Sequence, residues 1–197
     1  MIIADTGWRI AVETALSHLT FPETRDVLTY WAKLRDAAGS DLPDRTDIDP
    51  IEIRHTLPHV YLMELEPETG RLLYRLAGDE INSRYKQSIN GKYLDEITAP
   101  TAIERVQGYF KRCMHDPAII QIAGILYAEH DAPGFGERLI LPLRVSRRGT
   151  LGILGMTYQV RQFPNATAAE EGYRQLRRTI SLETGAMEIT DTTPSRS

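Results

Sequence analysis

Between Leu57 and Ile97 the chain reads LPHVYLMELEPETGRLLYRLAGDEINSRYKQSINGKYLDEI, and no other stretch constrains the fold as much. Tyr61, Met63 and Leu65 alternate with Leu62, Glu64 and Glu66, the period-two pattern of a strand with one buried face. Pro67-Glu68-Thr69-Gly70 follows as a turn, because proline presets a negative φ and glycine accepts a positive one. Leu72, Tyr74 and Leu76 then alternate with Leu73, Arg75 and Ala77 on a return strand. Gly78 ends this β-hairpin, Asp79 is the expected cap of a short helix to about Tyr85, and Asn90-Gly91 turns the chain into Lys92–Ile97.

The flanking segments extend the pattern. Trp8, Val12, Leu16 and Leu19 recur at helical spacing and predict an amphipathic helix over 7–19. Phe21-Pro22 interrupts it. A second helix is expected from an N-cap at Thr24 to Gly39, with the stripe Val27, Trp31, Leu34 and Ala38. Prolines and aspartates mark 40–58 as an extended linker with one helical turn near Ile51–His55. Pro100 suits the first turn of a longer helix, whose face is Ile103, Val106, Phe110 and Cys113, running to about His115. Three strands are expected at Ala118–Glu129, Glu137–Val145 and Leu151–Val160, joined by turns at Asp131–Gly136 and Arg147–Thr150. Tyr173, Leu176 and Ile180 predict a helix over 167–183, and the final TDTTPSRS is expected to be disordered.

The expected fold is α+β, with helices inserted between the second and third of five antiparallel strands. Its expected parts are an N-terminal helical extension (1–40), a linker (41–58), a core (59–162), and a C-terminal helix with its tail (163–197).

Composition excludes several function classes. The net charge of −4, from 23 basic and 27 acidic residues, gives no basic footprint for nucleic acid. The single cysteine, Cys113, forms no internal disulfide and suits a reducing compartment. Asp5, Arg9 and Glu13 interrupt the apolar N-terminal residues, so neither a signal peptide nor a membrane span is expected there. The expected location is cytoplasmic.

Three local patterns carry a resemblance. They are Tyr30-Trp31 followed by Asp47-Ile48-Asp49-Pro50 and Leu57-Pro58-His59, then Tyr74-Arg75-Leu76-Ala77-Gly78, then Gly91-Lys92-Tyr93-Leu94-Asp95-Glu96. Over about 27–160 their order and spacing resemble the bacterial PAS-like family once classed only as a domain of unknown function. The resemblance implies a PAS-like five-stranded antiparallel sheet with helices on one face, plus the N-terminal helices. It also implies a sensory or regulatory role rather than a catalytic one. It brings no agreed ligand, cofactor or catalytic residue, so none is carried over.

A concave sheet and its long helix can enclose a pocket. The expected lining is Tyr61, Met63, Tyr74, Leu76, Phe110, Cys113, Leu139, Leu141 and Leu143, suited to a small apolar or aromatic ligand oriented by tyrosine hydroxyls. The plainer account is that these side chains fill the core.

Other constellations are weaker. Cys113, Met114 and His115 point about 100° apart on a helix and cannot converge on one metal, which leaves His115 or His130 as single axial ligands. His55 and His59 have zinc spacing, but Pro58 breaks the helix that would align them. Gly149, Gly152 and Gly155 lie along a strand rather than a phosphate loop, so packing explains them better. Cys113 is also misplaced for flavin photochemistry. Asp79, Glu80, Asp95 and Glu96 have simpler roles as caps or solvated charges, and Arg75, Arg147, Arg148, Arg174, Arg177 and Arg178 are expected on solvated faces.

The leading expectation is a cytoplasmic sensory module that binds a small molecule or a protein partner, with output through a separate protein or a homodimer. Neither nucleic acid nor membrane insertion is expected, and no metal or catalytic residue is assigned. The alternatives are a ligand-free dimerising adaptor using Trp8, Val12, Leu16 and Leu19, and a small isomerase or hydrolase with a cleft carboxylate.

Overall fold

The computed structural model describes residues 6–39, 41–85, 87–127, 134–160 and 174–193. Its strands are β1 (Val60–Leu65), β2 (Leu72–Ala77), β3 (Ala118–Leu126), β4 (Gly134–Val145), β5 (Thr150–Val160), β6 (Gln175–Ser181) and β7 (Met187–Asp191). All seven form one antiparallel sheet in the order β2-β1-β5-β4-β3-β6-β7. The helices are α1 (Gly7–His18), α2 (Pro22–Ala37), α3 (Asp79–Asn82), α4 (Leu94–Ile97) and α5 (Ile103–His115).

The five expected strands are present, and a further hairpin extends the sheet. Where a helix was expected over 167–183, the described part from Gln175 is β6, paired along β3 and followed by β7. Gly124 permits that pairing: at φ +115° it lies 1.7 Å, measured from an ideal Cβ position, from the Arg174 carbonyl. A side chain there would drive β6 off the edge of β3. Residues 167–173 of the expected helix, 194–197 of the tail and His130 lie outside the described residues.

Because β4 sits in the middle of the sheet, both of its faces must be covered. On one face α1 and α2 bury Trp8, Val12, Leu19, Val27, Leu28 and Trp31 against Leu139, Leu141, Leu143, Leu154 and Met156. Trp31 is fully buried, and its indole N–H donates to the Pro142 carbonyl at 3.0 Å. Burying one such side chain contributes about 1.5–3 kcal/mol. The N-terminal helices are therefore a layer of the fold, not an extension beside a sheet covered on one face. The stripe Trp8, Val12 and Leu19, with Leu16 partly buried, is consumed by this packing and is not an exposed adhesive surface. On the other face α3, α4 and α5 enclose Tyr61, Met63, Tyr74, Phe110, Cys113 and Ile140.

Local details differ where side chains outcompete sequence signals. Pro22 opens α2 with Phe21 at the N-cap, so Thr24 lies inside the helix. The capping is done from across the sheet by Glu137, which accepts from the Thr20 amide at 2.6 Å, the Thr24 hydroxyl at 2.7 Å and, more weakly, the Phe21 amide at 3.5 Å. Gly78, not Asp79, is the N-cap of α3. The 41–58 segment is more than a linker, since Ile53 is buried and Asp44 anchors the segment by accepting from the Ser146 amide at 2.8 Å.

Arg75 and Arg148 are not simply solvated. They reach the carboxylate of Glu64 at 3.3 and 3.1 Å, and Arg45 pairs with the same group. Glu64 is only 1% exposed, so three partly hydrated guanidiniums supply its counter-charge.

Candidate functional site

A cavity of about 240 Å³ lies between α5 and the inner face of the sheet. Tyr74 of β2, Tyr109 and Phe110 of α5, Ile122 of β3 and Arg138 of β4 line it, with Gln175 of β6 at one side. Leu94 and Ile97 of α4 complete an apolar wall. An apolar cavity of roughly 150 Å³ takes benzene, so this space suits one ring with a small substituent.

Of the nine residues expected to form a pocket, Tyr74 and Phe110 line this cavity. Tyr61, Met63 and Cys113 belong to the same inner core but are packed away from the opening. The Tyr61 ring meets Tyr74 at 5.8 Å and Phe110 at 6.3 Å between centroids, and its buried hydroxyl has no hydrogen-bond partner among the described residues. Cys113 is fully buried, and its thiol donates to the Ala118 carbonyl at 3.2 Å. Burial pushes its pKa well up, so it stays a thiol.

Leu139, Leu141 and Leu143 point to the opposite face, into the layer beneath α1 and α2. Alternation places their neighbours Arg138 and Ile140 on the inner side. Leu76 is also displaced. The register of the hairpin shifts between Leu62 and Met63, so that Met63 faces Tyr74 while Leu62 faces Leu76 and Arg75 is the extra residue. This β-bulge inverts the alternation, and Leu76 is left 40% exposed.

Arg138 is the polar centre that alternation on the leucines hid. It is half-buried on the central strand. Its Nε donates to the Thr157 hydroxyl at 3.1 Å and Nη1 to the Tyr109 hydroxyl at 3.3 Å, while the guanidinium carbon lies 5.0 Å from the Tyr127 ring centroid. No carboxylate among the described residues pairs with it or lines the cavity. The buried glutamates are engaged elsewhere, Glu64 with arginines and Glu137 at the start of α2. Burial raises the hydroxyl pKa values of Tyr61, Tyr74 and Tyr85, which therefore remain neutral donors at physiological pH.

The remaining candidates are dispersed. His55 pairs with Asp26 at 3.0 Å, His59 packs on Tyr158 with centroids 4.9 Å apart, and no group of three metal-ligating side chains occurs among the described residues. Asp95 forms a two-pronged pair with Arg71 at 2.7 and 2.9 Å, and Glu96 accepts from the Tyr93 amide. Gly155 lies under Tyr61, with 2.0 Å between the ring and an ideal Cβ position, so the glycine exists for that ring. Among the described residues no helix is long and apolar enough to cross a membrane.

Comparison with known proteins adds one finding to this geometry. A family model described as a PAS domain matches residues 19–158, well over half of the chain. Searches of curated proteins and of solved structures gave no match. The matched span starts just ahead of α2 and ends in β5, which takes in Trp31, Arg138 and the cavity lining apart from Gln175. The chain belongs to the PAS domain family.

Proposed function

We propose that this PAS domain is a non-catalytic cytoplasmic sensory module that binds a small molecule in the cavity between α5 and the sheet. The observation that carries the reading is the composition of that space: an apolar wall from α4 and α5 faces a charged, hydrogen-bonding group on the central strand. Ligand pockets typically combine such walls with a few convergent polar groups. A filled core would leave no such volume.

The signal would pass to a separate partner protein through α1 and α2. Arg138 and Glu137 are neighbours on β4, one facing the cavity and the other holding the first turn of α2. Strand geometry forces them onto opposite faces, so a displacement of β4 at the cavity reaches the helix layer directly.

Native mass spectrometry of the freshly purified chain tests occupancy. The expected result is an added mass that persists under native conditions and disappears on denaturation, or a saturable rise in Tm with members of a small-metabolite collection. A chain at its bare mass that no member of the collection stabilises would sink the proposal. The dimerising-adaptor alternative has lost its proposed surface, because Trp8, Val12 and Leu19 are buried against the sheet.

A further inference from the structure

We propose that the small molecule is an organic acid: a flat apolar body of about one ring, whose carboxylate is held by Arg138. This rests on the small-molecule reading of the cavity and names the chemical class of its occupant.

Arg138 carries a charge that it cannot shed at any pH the protein survives. Removing such a charge from water is costly unless an anion or a full set of acceptors replaces the hydration. Here the replacement is incomplete. Two of its three nitrogens donate, both to neutral hydroxyls, and the contact to Tyr109 is long at 3.3 Å. The Tyr127 ring offers its face at 5.0 Å, which orients the guanidinium without neutralising it. Nη2 has no acceptor among the described residues.

The surroundings select the ligand's sign and shape. No described Asp or Glu lines the cavity, so the charge of Arg138 makes its field favour an anion. Thr157, paired with Arg138 across β4 and β5, holds Nε at 3.1 Å. A planar fork so held matches a carboxylate. Beyond it, Leu94, Ile97, Val106 and Phe110 offer an apolar slot. At about 240 Å³ the space accepts one ring and a short acidic arm, not a polyanion or a larger cofactor-sized body.

The alternative is that Arg138 is a structural residue filling space beneath Tyr127. The two accounts separate in one experiment on the full chain. Binding of benzoate, phenylacetate, 3-phenylpropionate and hexanoate is measured by calorimetry and thermal shift, beside their neutral amides. At least one acid should bind about tenfold or more tightly than its own amide, the margin expected of a charge-assisted hydrogen-bond pair. Arg138→Gln should remove that preference, the acid losing much more affinity than its amide. Arg138→Lys, which keeps the charge and loses the fork, should weaken the acid about tenfold and keeps the test decisive if the glutamine variant does not fold.

Acids and amides that bind equally would overturn the acid assignment and leave the cavity to something neutral. An Arg138→Lys chain that binds acid as the parent does would overturn the assignment of Arg138 as the group that holds the carboxylate. Absence of binding by every acid and amide, together with a bare native mass, would overturn the cavity reading itself.

Discussion

Replacing Glu137 with leucine should unlatch the first turn of α2 from the sheet. The helix begins with a proline and is preceded by Phe21, which has no side-chain acceptor, so its entry depends on a carboxylate from another strand. Glu137 is 2% exposed and makes two short hydrogen bonds, to the Thr20 amide at 2.6 Å and the Thr24 hydroxyl at 2.7 Å. Each such bond to a charged acceptor contributes about 1.5–3 kcal/mol. Favourable placement of an anion at a helix N-terminus adds ~0.3–1 kcal/mol.

Two effects reduce the loss. Thr24 can turn its hydroxyl wholly to the Phe21 carbonyl, 2.8 Å away, and Thr20 is exposed enough for water to reach its amide. Leucine also removes the cost of holding a carboxylate out of water. That gain does not win, because the donors stay behind when only their acceptor is deleted. The net cost of Glu137→Leu should be about 3 kcal/mol, and of Glu137→Gln, which keeps one carbonyl acceptor, about 1.5 kcal/mol. For a domain of this size that corresponds to a Tm fall of roughly 6–12 °C and 3–6 °C. Calorimetry reads the first quantity, and hydrogen exchange over residues 20–26 reads the place. Equal Tm values for both variants and the parent, or faster exchange elsewhere without any change in the first turn of α2, would refute the latch.

Asp44 should make stability acid-sensitive. Burial alone would raise its carboxyl, but hydrogen bonds from Ser146 and from the amide and hydroxyl of Thr46 hold it far below the usual carboxylate range. A depressed folded value means that its contribution is complete above the unfolded pKa, about 3.9, and drains as pH falls below that. Asp44→Asn should therefore lower Tm at pH 7 and flatten the acid limb below about pH 4, whereas parallel Tm–pH curves would refute the role. Gly155→Ala should cost about 2 kcal/mol by forcing a methyl into the Tyr61 ring, which is itself held between Tyr74 and Phe110. Urea denaturation checks it, and the cost should shrink in the Tyr61→Leu background; strict additivity of the two changes would argue against the contact.

Much of the fold was legible because its elements have one wet side. The hairpin β1–β2 announces itself through alternation and through the turn at Gly70, which takes a φ of +66°. The ends of α1 and α2 fall close to those predicted from their apolar stripes and from Gly39. Where the sequence misled, two periods coincide. Leu176 and Ile180 are four residues apart, a spacing that one turn of helix and two repeats of strand satisfy equally, and β3 offered an open edge that decided the matter. No sequence signal marks the bulge at Arg75 either, so alternation carried unbroken through it put Leu76 on the wrong side.

The site was harder to read for a reason rooted in the position of β4. A strand in the middle of a sheet, covered on both faces, loses the polar-apolar alternation that tells inside from outside. In Glu137-Arg138-Leu139-Ile140-Leu141-Pro142-Leu143 either set of alternate residues can be taken as the inner one. The three leucines look like the pocket, yet they lie under the helices. The two charges at the head of the run were the better signal. A charge in a strand buried on both sides must meet a dedicated partner on its own face. For Glu137 that partner is the start of α2. Arg138, one residue on, faces the cavity, and among the described residues its partners are two neutral hydroxyls and an aromatic ring. Among the described residues Glu137 is held by three donors and Arg138 by two neutral hydroxyls, and this asymmetry between neighbours is what makes the inner face of β4 the proposed ligand side.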